Sequence, residues 1–290
     1  MNTATLEKYL ETSNNFGLLE NLPNIKNCKP CRNIINELNK SEKPRDIYLA
    51  SLAAVTLCNP LVFVQGGVLP ANSALAGTKV ADFEIGKFAV TMEEWTGVRE
   101  FAIAVATGFQ TIALGEANGP NHPVTEISWY DAVHWCNAKS FMEGLELAYD
   151  FDQGKFASVL FKSNANGYRL PTEAEWEWAA RGGKKSKGYN CSGSNDLDTV
   201  GWYDGNSGGA AHEVAKKAAN ELGLYDMSGN VWEWCEDVAG TSGRRVRGGS
   251  WDYYADRTAS AAGAAVAYRG SDINPDYRYK NLGFRLARSL

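Results

Sequence analysis

Of the side chains suited to redox or soft-metal chemistry, the chain offers six cysteines, at positions 28, 31, 58, 136, 191 and 235. Only Cys28 and Cys31, in the order Cys-Lys-Pro-Cys, have a spacing that such chemistry uses. A redox role for the pair needs a thioredoxin-like βαβ context and a metal role needs a second ligand pair nearby. Neither is present, and two helix-start cysteines without chemistry are the competing reading. Cys136 and Cys235 fall in apolar segments and are expected as small buried hydrophobes. His122, His134 and His212 form no H-x-x-H, H-x-x-x-H or H-E-x-x-H pattern, so zinc and iron have little support. No nucleophile elbow, a Ser on a sharp strand-to-helix turn, announces a Ser-His-Asp site.

These groups must be positioned by a globular body. Hydrophobic residues make up 44% of the chain and charged ones 22%, and the net charge of -5 lacks the basic excess that binding nucleic acid would need. Nine Trp, 13 Tyr and 29 Gly point to a loop-rich fold pinned by buried indoles and tight turns, and away from a helical bundle. Residues 1–59 read as a helical N-terminal region. Its most apolar run, Ile47 to Cys58, is too short to span a bilayer and reads as a packed helix, and no standard signal peptide is visible. From residue 60 to 290 the pattern is α+β. LVFVQGG and VADFEIGKFAVT are strand-like. Thr91, Ser128 and Thr172 each stand three residues before an acid, at Glu94, Asp131 and Glu175, which predicts three capped helix starts. Gly182-Gly183 supplies a left-handed stop after the third.

Seven segments in this order resemble the signatures of the formylglycine-generating-enzyme, or sulfatase-modifying-factor, family. They are Phe63-Val-Gln-Gly-Gly67; Phe83-Glu-Ile-Gly-Lys87 with Val90, Thr91 and Trp95; Pro123-Val124 with Ser128-Trp-Tyr-Asp-Ala132; Tyr168-Arg-Leu-Pro-Thr-Glu-Ala-Glu-Trp176; Gly229-Asn-Val-Trp-Glu-Trp234; Arg247-Gly-Gly-Ser-Trp251; and Leu282-Gly-Phe-Arg285. The resemblance implies a C-type-lectin-like fold with much irregular structure. Arg169 is expected as a buried guanidinium hydrogen-bonded to carbonyls and stacked between indoles, and Arg285 in the same manner.

The resemblance also implies a site and a loss. Asp226, Gly229, Val231 and Glu233 match the family's calcium ligands, two through side chains and two through carbonyls, so a structural Ca2+ stands against a loop held by hydrogen bonds alone. The family's oxidase chemistry uses two cysteines that bind copper shortly after the Gly-Gly-Ser segment. Here Tyr253 and Thr258 stand in those places, neither can replace a soft thiolate, and no copper is expected. A non-catalytic protein is thus implied.

The region 247–288 is similar to the variable segment of proteins diversified by retroelements, in which adenine-rich Asn codons are randomised. Such codons cannot yield Lys, Glu, Gln, Met or Trp, and between Asp252 and Asn281 only Lys280 belongs to that set. The candidate ligand-binding positions are Asp252, Tyr253, Tyr254, Asp256, Arg257, Tyr268, Gly270, Ser271, Asp272, Tyr277 and Tyr279, a paratope-like mixture of aromatic anchors and small polar groups. Trp251, Pro275 and Gly283 are expected to stay fixed. The resemblance implies display at the cell surface or outside the cell, and a protein or cell-surface ligand. A family enzyme working without the usual cysteines and a structural or accessory subunit are the alternatives.

Overall fold

The computed structural model describes residues 59–105, 112–151, 159–253 and 264–290. The helices expected in residues 1–58, with Cys28, Cys31 and Cys58, lie outside the described residues. The chain divides into two units, 1–60 and 61–290, and every strand and helix of the described residues belongs to the second.

The strand-like segments form β1 (Leu61–Val64), β2 (Gly67–Val68), β3 (Lys79–Val80) and β4 (Phe83–Gly86). β4 pairs antiparallel with β1, and its other edge takes β11 (Ala287–Ser289), which in turn pairs with β7 (Tyr168–Arg169). The sheet order β1-β4-β11-β7 thus inserts the last strand between two much earlier ones. A second sheet joins β10 (Leu282–Gly283), β8 (Trp232–Ala239) and β9 (Gly243–Arg247), with β10 parallel to β8. β5 (Tyr149–Phe151) and β6 (Val159–Phe161) form a separate hairpin.

Three main helices cover these sheets: α1 (Met92–Val105), α2 (Trp129–Met142) and α3 (Glu173–Ala180), followed by the single-turn α4 (Leu197–Val200). Ser128 and Thr172 each make the full reciprocal capping box with Asp131 and Glu175. At α1 the Thr91 hydroxyl accepts the Glu94 N–H at 3.3 Å, but the Glu94 carboxylate lies 3.6 Å from the buried Lys139 ammonium on α2. A buried charge needs a counter-charge more than a helix start needs its second cap. Gly182 and Gly183 adopt φ of 89° and 55°, the left-handed stop expected after α3.

Indoles pin the irregular parts to the regular ones. Trp95 and Trp135 stack at 5.8 Å with Phe284 edge-on to both. The ring N–H groups of Trp95, Trp129, Trp178 and Trp234 donate to loop or strand carbonyls, and that of Trp135 to the Trp95 carbonyl on α1, which ties irregular backbone and the two helices together. Arg169 corrects one expectation. Its guanidinium is buried and donates to the Leu170 carbonyl, but it is held by both Glu175 oxygens at 2.7 and 2.8 Å and not between indoles. The carboxylate that caps α3 also neutralises it. Among the described residues no helix is long and apolar enough to cross a membrane.

Candidate functional site

The loop 226–233 turns sharply, with φ of 58° at Asp226, 92° at Gly229 and 65° at Asn230. At Gly229 the turn leaves no room for a side chain, because a Cβ would lie 2.2 Å from the Trp202 carbonyl oxygen. Val231 and Glu233 are buried behind it, and β8 begins here. Glu233 accepts from Trp176 Nε1 at 2.6 Å, from Arg285 Nε at 2.6 Å and from Arg285 Nη2 at 2.7 Å. Arg285 also donates to the carbonyls of Gly86 and Tyr225, as expected, but like Arg169 its charge is met by a carboxylate, Glu233, in place of the expected stack between indoles. Asp226 accepts the Ala215 N–H through Oδ2, while its Oδ1 is buried with no hydrogen-bond partner. Burial pushes this carboxyl up to about 6, although the Ala215 N–H and Arg285 pull it down.

These residues fit a hard cation on one side. Two carboxylates beside one guanidinium leave a net negative charge, and the unpartnered Asp226 Oδ1 is a free oxygen ligand. Glu233 retains only the lone pairs that Arg285 and Trp176 do not use. No cluster of three or more His, Cys, Asp and Glu side chains suited to a metal occurs among the described residues.

Copper finds no such fit. Tyr253 donates its hydroxyl hydrogen to Tyr268 at 3.2 Å, and both rings pack on Trp232 at 5.5 and 6.0 Å. That hydrogen bond, then burial, pushes the Tyr253 phenol up to about 12, so it presents no anionic ligand at neutral pH. Thr258 lies outside the described residues. Burial pushes the thiols of Cys136 and Cys235 well above their ordinary value and that of Cys191 to about 11, so these three hold no ready thiolate. Cys136 and Cys235 are the buried hydrophobes their segments suggest.

The candidate ligand-binding positions separate into groups. Tyr254, Asp256 and Arg257 lie outside the described residues. Asp252 is half-buried and accepts from Ser250 Oγ at 2.7 Å and Asn281 Nδ2 at 2.9 Å, which fixes its side chain. Tyr253 and Tyr268 are half-buried on Trp232. Ser271, Asp272, Tyr277 and Tyr279 are exposed, with the two tyrosine rings in edge contact at 5.7 Å. Gly270 is a correction. It is buried, and a Cβ there would meet the Val246 side chain at 2.5 Å and the Val246 carbonyl at 2.7 Å, so it cannot present a varied side chain.

Two features escape the sequence reading. Glu173, on α3, is gripped by both Arg269 nitrogens at 2.6 Å and by Arg247 at 3.1 Å, while Arg247 also bonds Glu177 and the Val266 carbonyl. This buried network holds 266–270 against α3. The signal for it was present: Glu173 and Glu177 share a helix face at i and i+4, and Arg245 and Arg247 share a strand face. Beyond it, the backbone of 271–280 is tied down at Ile273, Pro275 and Tyr279 by hydrogen bonds to Arg244, Trp129 and Glu126. Arg278 adds an ion pair of 2.8 Å to Asp131. Main chain is fixed there while the side chains at 271, 277 and 279 are exposed, and the exposed Asp272 accepts from Arg245 Nη1 at 2.7 Å.

Comparison with known proteins agrees with this architecture. Residues 50–290 match the sulfatase-modifying factor enzyme 1-like domain. A chaperone protein LppX of Paenibacillus barcinonensis is 33% identical over 276 residues, covering 81% of this chain and 91% of that one. An inactive C-alpha-formylglycine-generating enzyme 2 of Mus musculus is 32% identical over 180 residues, 58% of this chain and 49% of its own length. The solved structure of Treponema denticola variable protein 1 superposes with a TM-score of 0.65 at 30% identity, covering 79% of this chain and 95% of that one. With matched signatures, a domain match over most of its length and these relatives, the chain belongs to the formylglycine-generating-enzyme, or sulfatase-modifying-factor, family.

Proposed function

We propose that this protein is a non-catalytic, ligand-binding member of its family whose outward face between Asp252 and Tyr279 is diversified by a retroelement. The observation that carries the reading is Tyr253. Where the family resemblance places a copper-binding cysteine, this chain has a phenol bonded to Tyr268 and packed on Trp232. Such a surface offers large, rigid contact area and no nucleophile. The inactive enzyme 2 among the relatives supports loss of catalysis, and the relative named as a chaperone is in keeping with it. The likeness to a protein named as variable supports the reading of a varied segment. The ligand in this reading is a protein or cell-surface molecule met outside the cell. Gly270 is no longer among the varied positions, because Val246 leaves no room for a side chain there.

Calcium, in this reading, is structural. Asp226, Glu233 and the carbonyls of Gly229 and Val231 would hold the ion, which would neutralise the surplus negative charge of that buried site.

Sequencing the region that encodes residues 247–288 in several isolates tests the diversification. Changes should concentrate at Asp252, Tyr253, Tyr254, Asp256, Arg257, Tyr268, Ser271, Asp272, Tyr277 and Tyr279, beside a reverse-transcriptase gene and a near-identical repeat. An invariant segment with no such neighbour would overturn it.

A further inference from the structure

A cavity of about 210 Å3 opens among the segments 116–125 and 209–211, lined also by Trp251 and Lys280. None of its lining residues is a candidate varied position. Its walls are built before any ligand arrives. Glu116 and Thr125 exchange backbone hydrogen bonds of 2.9 and 2.8 Å, and the Thr125 hydroxyl donates to the Glu116 carbonyl. Asn118 Nδ2 donates to the Ala211 carbonyl at 3.2 Å and joins the two segments. Trp251, almost fully buried, donates its backbone N–H to the Asn230 carbonyl at 2.8 Å.

Two residues of opposite charge, Glu116 and Lys280, are among those lining this space. Among the described residues the Glu116 carboxylate has no hydrogen-bond or ion-pair partner, and the Lys280 ammonium is engaged only by the Trp251 ring, 4.8 Å away. They form no ion pair with each other, so the cavity separates opposite charges. A ligand carrying a single charge would satisfy one and approach its like at the other. A ligand with both signs satisfies both. Size narrows the class further, because the cavity is smaller than the ~300–1,000 Å3 that drug-sized ligands and cofactors occupy. An aliphatic body of a few carbons would lie against Trp251 and Pro123.

We propose that this cavity binds a small zwitterion of the amino-acid class, its ammonium toward Glu116, its carboxylate toward Lys280 and its carbon chain against Trp251. The site is independent of the diversified face, since Glu116, Trp251 and Lys280 belong to the fixed framework.

Calorimetric titration of the full chain with glycine, β-alanine, 4-aminobutyrate and L-valine, with propylamine and propionate as single-charge controls, tests this. At least one zwitterion should saturate with a dissociation constant below about 10 mM, and both controls should bind about tenfold more weakly or worse. Glu116→Gln and Lys280→Gln, both at exposed positions, should keep the melting temperature and each weaken the zwitterion about tenfold. In Glu116→Gln, propionate should bind as well as the zwitterion. No saturation by any zwitterion, equal binding of a control to the unaltered protein, or indifference to both substitutions would overturn the proposal. Tyr277→Ser, which touches the diversified face alone, should leave the titration unchanged, so failure here and failure of the ligand-binding face read out separately.

Discussion

Around α3 and β8, Arg247 and Arg285 are buried and paired with carboxylates. Between residues 271 and 280 the side chains stand largely in water. Arg247 and Arg285 are 0% exposed, and each is matched to carboxylates and carbonyls, whereas Tyr277 and Tyr279 are 51% and 40% exposed. The contrast teaches how one chain can be both specified and permissive. In the first region side chains hold the backbone, so changing one removes a support. In the second, backbone hydrogen bonds from Arg244, Trp129 and Glu126 hold the loop, and the Tyr277 and Tyr279 side chains are left exposed.

The largest effect should come from breaking the first region. Arg285→Ala strands Glu233 in a buried site and is expected to cost about 3–5 kcal/mol in denaturant unfolding. A loss comparable to that of a surface substitution would erase the distinction. Trp251→Ala should cost a similar ~3–5 kcal/mol, the usual penalty of an emptied indole site. At the border between the regions, Gly270→Ala must push the Val246 side chain and carbonyl aside and should cost about 1–3 kcal/mol. An unchanged unfolding midpoint would return Gly270 to the displayed set.

The buried region should also make stability depend on pH. Burial raises the Glu236 carboxyl from 4.5 to about 7, despite the Tyr149 hydroxyl donating to it. Because the folded state then holds this proton more tightly than the unfolded chain, its contribution to stability is full below pH 4.5 and is lost as pH rises to about 7. The slope is at most ~1.4 kcal/mol per pH unit. His134 works in the opposite direction, since burial lowers it to about 4 and its contribution is lost as pH falls from 6.5 towards that value. Subtracting the unfolding free energies of Glu236→Gln from those of the unaltered protein isolates the first contribution. A difference independent of pH between about 4.5 and 7 would contradict it.

The smallest effect belongs to the loop. Tyr277→Ser and Tyr279→Ser should each shift stability within about 0.5 kcal/mol, while Tyr253→Ser and Tyr268→Ser, half-buried on Trp232, should cost more. If all four cost the same, the gradient from scaffold to displayed face is absent.

Local chemistry was legible in the sequence. The caps at Ser128 and Thr172 follow from hydroxyls and acids three residues apart, and β1 and β4 from runs of Val, Phe and Ile. What sequence did not show depends on distant partners. Nothing near Ala287 says that its strand enters between β4 and β7, and nothing near Gly270 reveals the Val246 carbonyl facing it. Arg169 could be read as buried, but its partner was Glu175, already assigned to the cap. At the candidate site, Tyr253 at a cysteine position was visible in the sequence. Its hydrogen bond to Tyr268 required the fold.

The most direct test of the central claim is chemical. The purified protein, supplied with copper, calcium and a Cys-x-Pro-x-Arg peptide in air, is expected to leave the cysteine unconverted by mass spectrometry, because Tyr253 is hydrogen-bonded and uncharged and Cys136, Cys191 and Cys235 are buried. Formation of formylglycine in that peptide, absent from a heat-denatured control, would contradict the account.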